Sequence, residues 1–452
     1  MQTDGRGVLL AVLATLVAIT VATNTTASLA QPQIGVAFGA GPADTAWVVF
    51  GYSATFAIGT ALWGGIASRA GLIPSLVAGV ALLGAGSAAA ALAPTLELLI
   101  GARLVQGLGS GAIPTLATAL IAGRFDGLDR ARALGVIIAA VGGGQALGPL
   151  VGGVLLDLIG WRAAVSIGLV AVPTVGILAR SQRGREATAL GRRRIDWPGA
   201  ALVSTLALAL TFVLNRGPLL GPAPITLGAL AGAVAAFVLL WRRAATHLDA
   251  FVPGDVLANR VFRRVVPLGA VGLAAYIGTI VLVPILGARA YGLEGIALGL
   301  LLLPMALAAA VTSPYNARVQ RWIGARPTTR LALGLLGGAP VLLAFGAVGL
   351  GPMALIVGLI VLGTGFGLLN APLLSRLTHA IEGDRQPVAV GIYNLCFFLG
   401  GAVGAAISSA IVQAGIELPG IGSASLPGFA TAELFLAVGP LAGAFLARGD
   451  PG

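Results

Sequence analysis

The sequence predicts an all-α polytopic membrane protein with fourteen transmembrane helices, and three observations carry that prediction. Hydrophobic residues make up 57% of the 452-residue chain and charged residues only 10%, against about 25% charged in a soluble domain. The apolar residues fall in runs of roughly 20, the length at which a helix crosses a bilayer. The basic residues lie between the runs and favour one side. Strands of a membrane barrel would show about 10 residues of alternating polarity, and no such pattern occurs. Lipid offers the backbone no hydrogen-bond partner, so helices are what remains.

The runs are 8–30, 45–67, 72–93, 97–122, 133–156, 163–180, 198–214, 224–243, 264–286, 294–316, 328–349, 353–374, 387–413 and 429–447. The first begins after Arg6 and ends on Ala27-Ser28-Leu29-Ala30, which mimics a signal peptide and its cleavage site. It is long for such a segment and many spans follow, so it reads as a retained first helix. Spans seven and eight are crowded at their junction by Pro222 and Pro224.

Every basic residue is arginine. With the N-terminus inside and each span crossing, only Arg162, Arg216 and Arg289 fall outside, and Arg103 alone lies within a span. Both termini are therefore expected in the cytoplasm of a multi-pass cell-membrane protein. The net charge of +11 belongs to this topology, so no nucleic-acid partner is expected. The lone Cys396 sits in an apolar run and forms no disulfide within the chain.

Three cytoplasmic segments concentrate charge. Residues 124–132 carry Arg124, Asp126, Asp129, Arg130 and Arg132, and residues 180–196 include Arg192-Arg193-Arg194. Residues 242–264 add five arginines with Phe251 and Phe262 at spacing suited to an interfacial helix. These segments are expected to orient the chain and attract anionic lipid.

Two spans carry distinctive patterns. Span four contains Arg103-Leu104-Val105-Gln106-Gly107-Leu108-Gly109. An arginine there costs about 2.5–3.5 kcal/mol on insertion scales, so it should face a cavity or a partner. Gln106, nearly one turn on, shares its face. Span five contains Gly144-Gln145-Ala146-Leu147-Gly148-Pro149-Leu150-Val151-Gly152-Gly153. Glycines at 144, 148 and 152 make one smooth face, and Pro149 favours a kink. Such a face suits helices that pack tightly and still slide, or simply the small-residue packing of any membrane bundle.

At these residues the chain resembles the major facilitator superfamily. Arg103-x-x-Gln106-Gly107 is similar to its motif B, and Gly144 through Gly153 to its motif C, the antiporter motif. The span count and Asp196-Trp197-Pro198-Gly199 at span seven resemble the 14-helix drug:proton antiporter branch. The resemblance extends over essentially the whole chain, through Trp161-Arg162, Trp47 and Tyr52, Gly324-Ala325-Arg326-Pro327, Gly363 through Gly367, and Asn394 through Gly404. It implies two six-helix halves around a central cavity with two helices inserted between them: residues 1–180, an insert at 181–263, and residues 264–452. It implies transport by rocking of one half against the other.

The sequence departs from that pattern in charge. Motif A usually carries an acid and a basic pair; here Gly64 through Ile73 places Ser68 at the acid and Leu72-Ile73 at the pair. Its second copy, Ala317 to Pro327, has Arg321 at the acid. The branch usually carries an aspartate in span one nine residues before a proline. Pro32 is present and the matching residue is Thr23. No acid falls securely mid-span: Asp157 and Glu433 lie near external ends, and Asp44, Glu97, Glu294 and Glu417 in or beside external loops. Asp157, then Asp44, are the remaining candidates for a proton site. Either can equally be a helix-end carboxylate.

Candidate cavity residues are Thr23, Asn24, Arg103, Gln106, Gln145, Tyr276, Asn370, Tyr393 and Asn394, each of which can instead satisfy a neighbouring helix. Gly144, Gly148, Pro149, Gly152 and Gly153 are the candidate conformational motif. The expected function is secondary active export of small amphiphilic compounds, with protons as a possible coupling ion. An uncoupled facilitator and a non-transporting sensor or assembly partner are alternatives. No metal-spaced His/Cys set, phosphate loop or activated nucleophile is present, so neither an enzyme nor a cofactor is expected. The expected partners are the bilayer and a small-molecule substrate, with the chain acting as a monomer.

Overall fold

The computed structural model describes residues 2–45, 47–125, 127–180, 196–221, 223–247, 250–293, 296–345, 352–381, 385–416 and 428–447. Among them all regular structure is helical: α1 (Gln2–Phe38), α2 (Pro42–Thr45), α3 (Trp47–Ala70), α4 (Leu72–Leu92), α5 (Leu96–Ser110), α6 (Ala112–Arg124), α7 (Gly127–Leu158), α8 (Trp161–Ser166), a 3-10 segment (Ile167–Ala171) and α9 (Pro173–Arg180). There follow α10 (Trp197–Leu220), α11 (Pro224–Thr246), α12 (Gly254–Ala258), α13 (Arg260–Tyr291), α14 (Ile296–Ile323), α15 (Ala325–Phe345), α16 (Pro352–Ala380), α17 (Gln386–Ala414) and α18 (Phe429–Leu446).

Twelve helical stretches among the described residues are long and apolar enough to cross a membrane, α5 and α6 running together as one. Spans six and seven of the expected fourteen fall on shorter apolar stretches among these residues, Trp161–Gly176 and Trp197–Leu210, although α10 itself continues as helix to Leu220. In span six the cause is local: the 3-10 segment and Pro173 divide the run into pieces. The interfacial helix expected in 242–264 is also corrected. The segment holds the end of α11, the five-residue α12 and the start of α13, and Phe262 is buried in α13. Asn259 ends α12 by capping α13, its Oδ1 accepting from the amides of Val261 (2.9 Å) and Phe262 (3.1 Å). The arginine cluster at 192–194, Asp126, Glu294 and Glu417 lie outside the described residues.

The chain divides into two compact units, residues 1–263 with 378–395, and residues 264–377 with 396–452. In the first, Leu13, Leu16, Leu76, Val80, Leu83, Ile113 and Leu116 from α1, α4 and α6 form one buried core. Ile34, Val48, Leu99, Trp161 and Val165 form a second. Arg162 stacks on the Trp161 ring at 4.3 Å. It also donates to the carbonyls of Ala91 (3.1 Å) and Ala93 (3.3 Å), which close the end of α4.

Two corners share one backbone design. Gly71 between α3 and α4 and Gly324 between α14 and α15 both have φ of 86°, a region essentially reserved for glycine. At the first, the Gly71 amide donates to Ala67 and the Gly71 carbonyl accepts from Ser75; at the second, Gly324 does the same with Gln320 and Thr328.

The α10–α11 hairpin is fastened at Asp196, whose side chain is 4% exposed. It caps α10 by accepting from the Gly199 amide (3.0 Å) and accepts from the Phe251 amide (2.9 Å). Arg243 at the end of α11 pairs with it at 2.7 Å. Burial alone would raise the carboxyl's pKa, but the bonds from Arg243, Gly199 and Phe251 outweigh it and hold the value below the ordinary one. The carboxylate therefore stabilises the fold above the ordinary aspartate pKa of about 3.9, and that contribution is lost as pH falls through the depressed value. Asp196→Asn is expected to lower the unfolding temperature at neutral pH and to flatten the acid limb of a stability-against-pH curve. An unchanged acid limb would remove Asp196 as its cause.

Candidate functional site

The polar centre of the first unit is built on α5. Thr95 starts this helix by capping the Leu98 amide, and glycines let it approach both neighbours. A Cβ on Gly107 would strike the Tyr52 carbonyl and Thr55 hydroxyl of α3. A Cβ on Gly109 would stand 2.6 Å from the Gly79 carbonyl of α4, and one on Gly86 would stand 2.6 Å from the Gln106 amide. The helix is thus seated between α3 and α4, which leaves Arg103 and Gln106 fully buried.

Arg103 is bound by neutral groups from three helices. Its Nε donates to the Val48 carbonyl (2.8 Å), and one terminal nitrogen to Gln106 Oε1 (2.5 Å) and the Thr23 carbonyl (3.4 Å). The other donates to Asn24 Oδ1 (3.2 Å). The guanidinium lies 4.3 Å from the centre of the Tyr52 ring, a cation–π contact. The network continues outward: Gln106 Nε2 donates to Ser87 Oγ (2.6 Å) and the Val165 carbonyl (3.0 Å), and Asn24 Nδ2 to Ser53 Oγ (3.2 Å). Tyr52 donates to the Thr20 carbonyl (2.9 Å), and the Thr23 hydroxyl turns back to Ile19 (2.7 Å). Each hydrogen bond to a charged group contributes about 1.5–3 kcal/mol, which is how a buried charge is tolerated with no ionised partner among these contacts.

Along α7, Gly144, Gly148 and Gly152 face α1. A Cβ at Gly144 would stand 2.5 Å from the Ala18 carbonyl, and one at Gly152 3.1 Å from Thr26; at Gly148 it would overlap the Thr25 hydroxyl. Gly153 is buried as well, and α7 runs as continuous helix through Pro149.

Thr23, Asn24, Arg103 and Gln106 therefore meet in one network. Gln145 is half-buried on α7. In the second unit Tyr276 is fully buried and stacks on Phe366 at 3.9 Å, while Asn370 is half-buried on α16. Tyr393 is fully buried and Asn394 half-buried on α17, within the first unit. Asp157 near the end of α7 and Asp44 in α2 are both exposed. Among the described residues, an acid does lie fully buried within a membrane-length helix: Glu433 in α18, with one oxygen accepting from Thr279 at 2.8 Å and the other without a partner. Its sequence signal is a lone charge four residues inside an 18-residue helix that is apolar but for Thr431. Among the described residues no group of three or more His, Cys, Asp or Glu could hold a metal ion.

Comparison with known proteins agrees with this architecture. The family model of the Major Facilitator Superfamily matches residues 11–405. The chain is 30% identical over 370 residues to the methylenomycin A resistance protein of Streptomyces coelicolor, covering 81% of this chain and 77% of that protein. It is 32% identical over 417 residues to the lincomycin resistance protein of Streptomyces lincolnensis, covering 88% and 82%. Among solved structures, the human organic anion transporter MFSD10 (TETRAN) superposes with a TM-score of 0.66 over 98% of both chains at 17% identity, a likeness of fold. The chain belongs to the Major Facilitator Superfamily, and it is a multi-pass membrane transporter rather than an enzyme.

Proposed function

We propose that the protein exports small amphiphilic organic compounds across the cell membrane by alternating access, coupled to protons, with both termini cytoplasmic and a single chain as the working unit. The moving parts in this reading are the six-helix halves 1–180 and 264–452. Similarity to proteins named for resistance to methylenomycin A and lincomycin supports a small organic cargo moving outward. The observation that carries the preference for cargo is Arg103, a buried cation whose partners are all neutral. In a medium of low dielectric its field extends over the helix interior, so neutral and anionic amphiphiles are favoured over dications. Proteoliposomes given the neutral dye Nile red or the dicationic dye propidium test this. Faster transport of Nile red is expected, and a strong preference for propidium would sink the cargo assignment.

One observation favours an uncoupled facilitator instead. The segment Thr23 to Thr26, where the branch usually carries an acid, offers only neutral groups, and it is the Thr23 carbonyl and Asn24 Oδ1 that receive the Arg103 guanidinium there. Inverted vesicles with an imposed acid interior separate the two readings. Proton-coupled export raises dye uptake under the gradient, whereas a facilitator is indifferent to it.

A further inference from the structure

We propose that Glu433 and Thr279 form a proton-binding site of the second unit, occupied while the α13–α18 seam is dry and emptied when water reaches it. The inference rests on the proton-coupled reading above and gives it a residue. α18 enters its unit at Gly428, where a Cβ would stand 2.8 Å from the Ile411 carbonyl of α17. It then lies along α13 with Leu436 against Gly278, at 2.7 Å from the position of a Cβ, and Val271 against Gly439, at 3.1 Å. Glu433 and Thr279 fall inside this seam, both fully buried. The Thr279 hydroxyl donates to one carboxyl oxygen at 2.8 Å, and the other oxygen has no partner.

A carboxylate ion in such a place would be an uncompensated buried charge, which costs several kcal/mol. A carboxyl carrying a proton avoids that cost while keeping the Thr279 bond. The groups on the packed elements do not supply a counter-charge. On α13, Arg260, Arg263 and Arg264 lie about 22 Å or more along the helix from Thr279. Tyr276 is one turn away and stacked on Phe366, and Arg289 and Tyr291 follow about 15 Å or more along the helix. On α15, Arg330 binds the Ala447 carbonyl, about 21 Å along α18 from Glu433, and Arg326 is one turn before it. On α17, whose Gly404 carbonyl approaches Gly278, Cys396 and Tyr393 lie about 12 Å and about 16 Å along the helix from that contact. Entry of water into this seam during transport is the event that would stabilise the ion and release the proton.

Infrared difference spectroscopy on the full chain in lipid tests the site directly. A protonated carboxyl band, slow to exchange in heavy water, is expected in the wild type, in Asp157→Asn and in Asp44→Asn, and absent from Glu433→Gln. Thr279→Val, which keeps the carboxyl and removes its donor, should move the band to higher frequency. This second variant decides the matter if Glu433→Gln fails to fold. A band untouched by Glu433→Gln, or unmoved by Thr279→Val, overturns the proposal. Gradient-driven Nile red uptake in inverted vesicles adds the coupling arm, with loss of the pH response expected in Glu433→Gln. A variant that responds like a responsive wild type overturns the proposal. A wild type indifferent to the gradient defeats the proton-coupled reading instead, and the infrared band then decides the site by itself.

Discussion

Arg103→Met is expected to abolish gradient-driven Nile red transport, and Arg103→Lys to restore little of it. The guanidinium engages the Val48 and Thr23 carbonyls, Gln106 and Asn24 at once while lying on the Tyr52 ring. An ammonium is a compact charge with no planar fork and cannot reproduce that set. Stability separates the variants further. Arg103→Ala leaves a cavity and strands buried acceptors at Val48, Gln106 and Asn24, each costing about 1–3 kcal/mol when unsatisfied. Its total is expected on the order of 3–5 kcal/mol. Arg103→Met fills the space and removes a desolvated charge, so it should be the more stable of the two. Thermal unfolding in detergent beside vesicle transport reads both quantities. Full transport by a well-folded Arg103→Met would remove the arginine from the mechanism.

Gly144→Ala is expected to be more damaging than Gly148→Ala, although both add one methyl group to the α1–α7 seam. At Gly144 the obstacle is backbone: the Ala18 carbonyl at 2.5 Å and its Cα at 3.1 Å. At Gly148 the nearest obstacle is the Thr25 hydroxyl, with the Thr25 Cβ at 3.1 Å behind it. Overpacking a tight seam costs about 1–3 kcal/mol, and a backbone obstacle leaves no side chain to move aside. Thr25→Ala should therefore recover part of the loss in Gly148→Ala and none in Gly144→Ala. Transport rates of the single and double variants check this. Equal rescue at both glycines would mean that the seam yields as a whole.

The features most legible in the sequence were those that a repeating pattern imposes. Apolar runs marked the membrane helices, and the four-residue glycine spacing marked the face of α7 that meets α1. Isolated features were harder to read. The 3-10 segment within span six is a local change of hydrogen-bonding pattern inside a run whose hydropathy is uniform, so composition could not reveal it. The capping of α13 by Asn259 depends on a backbone turn and divides what looked like one amphipathic segment. Arg162 looked like an exception to the charge asymmetry. Its guanidinium is held by carbonyls at the end of α4, an interaction invisible without the fold. Counting along the chain places Glu433 near a helix end. Its bond to Thr279 of α13, about 150 residues earlier in the sequence, is set by the fold.

The two corners at Gly71 and Gly324 separate form from charge. Both stand three residues after the position where an acid is customary, and this chain has Ser68 at one and Arg321 at the other. Each nonetheless keeps the same φ and the same pair of amide–carbonyl bonds to residues four before and four after. The tight reversal is thus encoded by the glycine and its neighbours' backbone, independently of any carboxylate. A change of charge at Ser68 or Arg321 can therefore leave the path of the chain at either corner as it is.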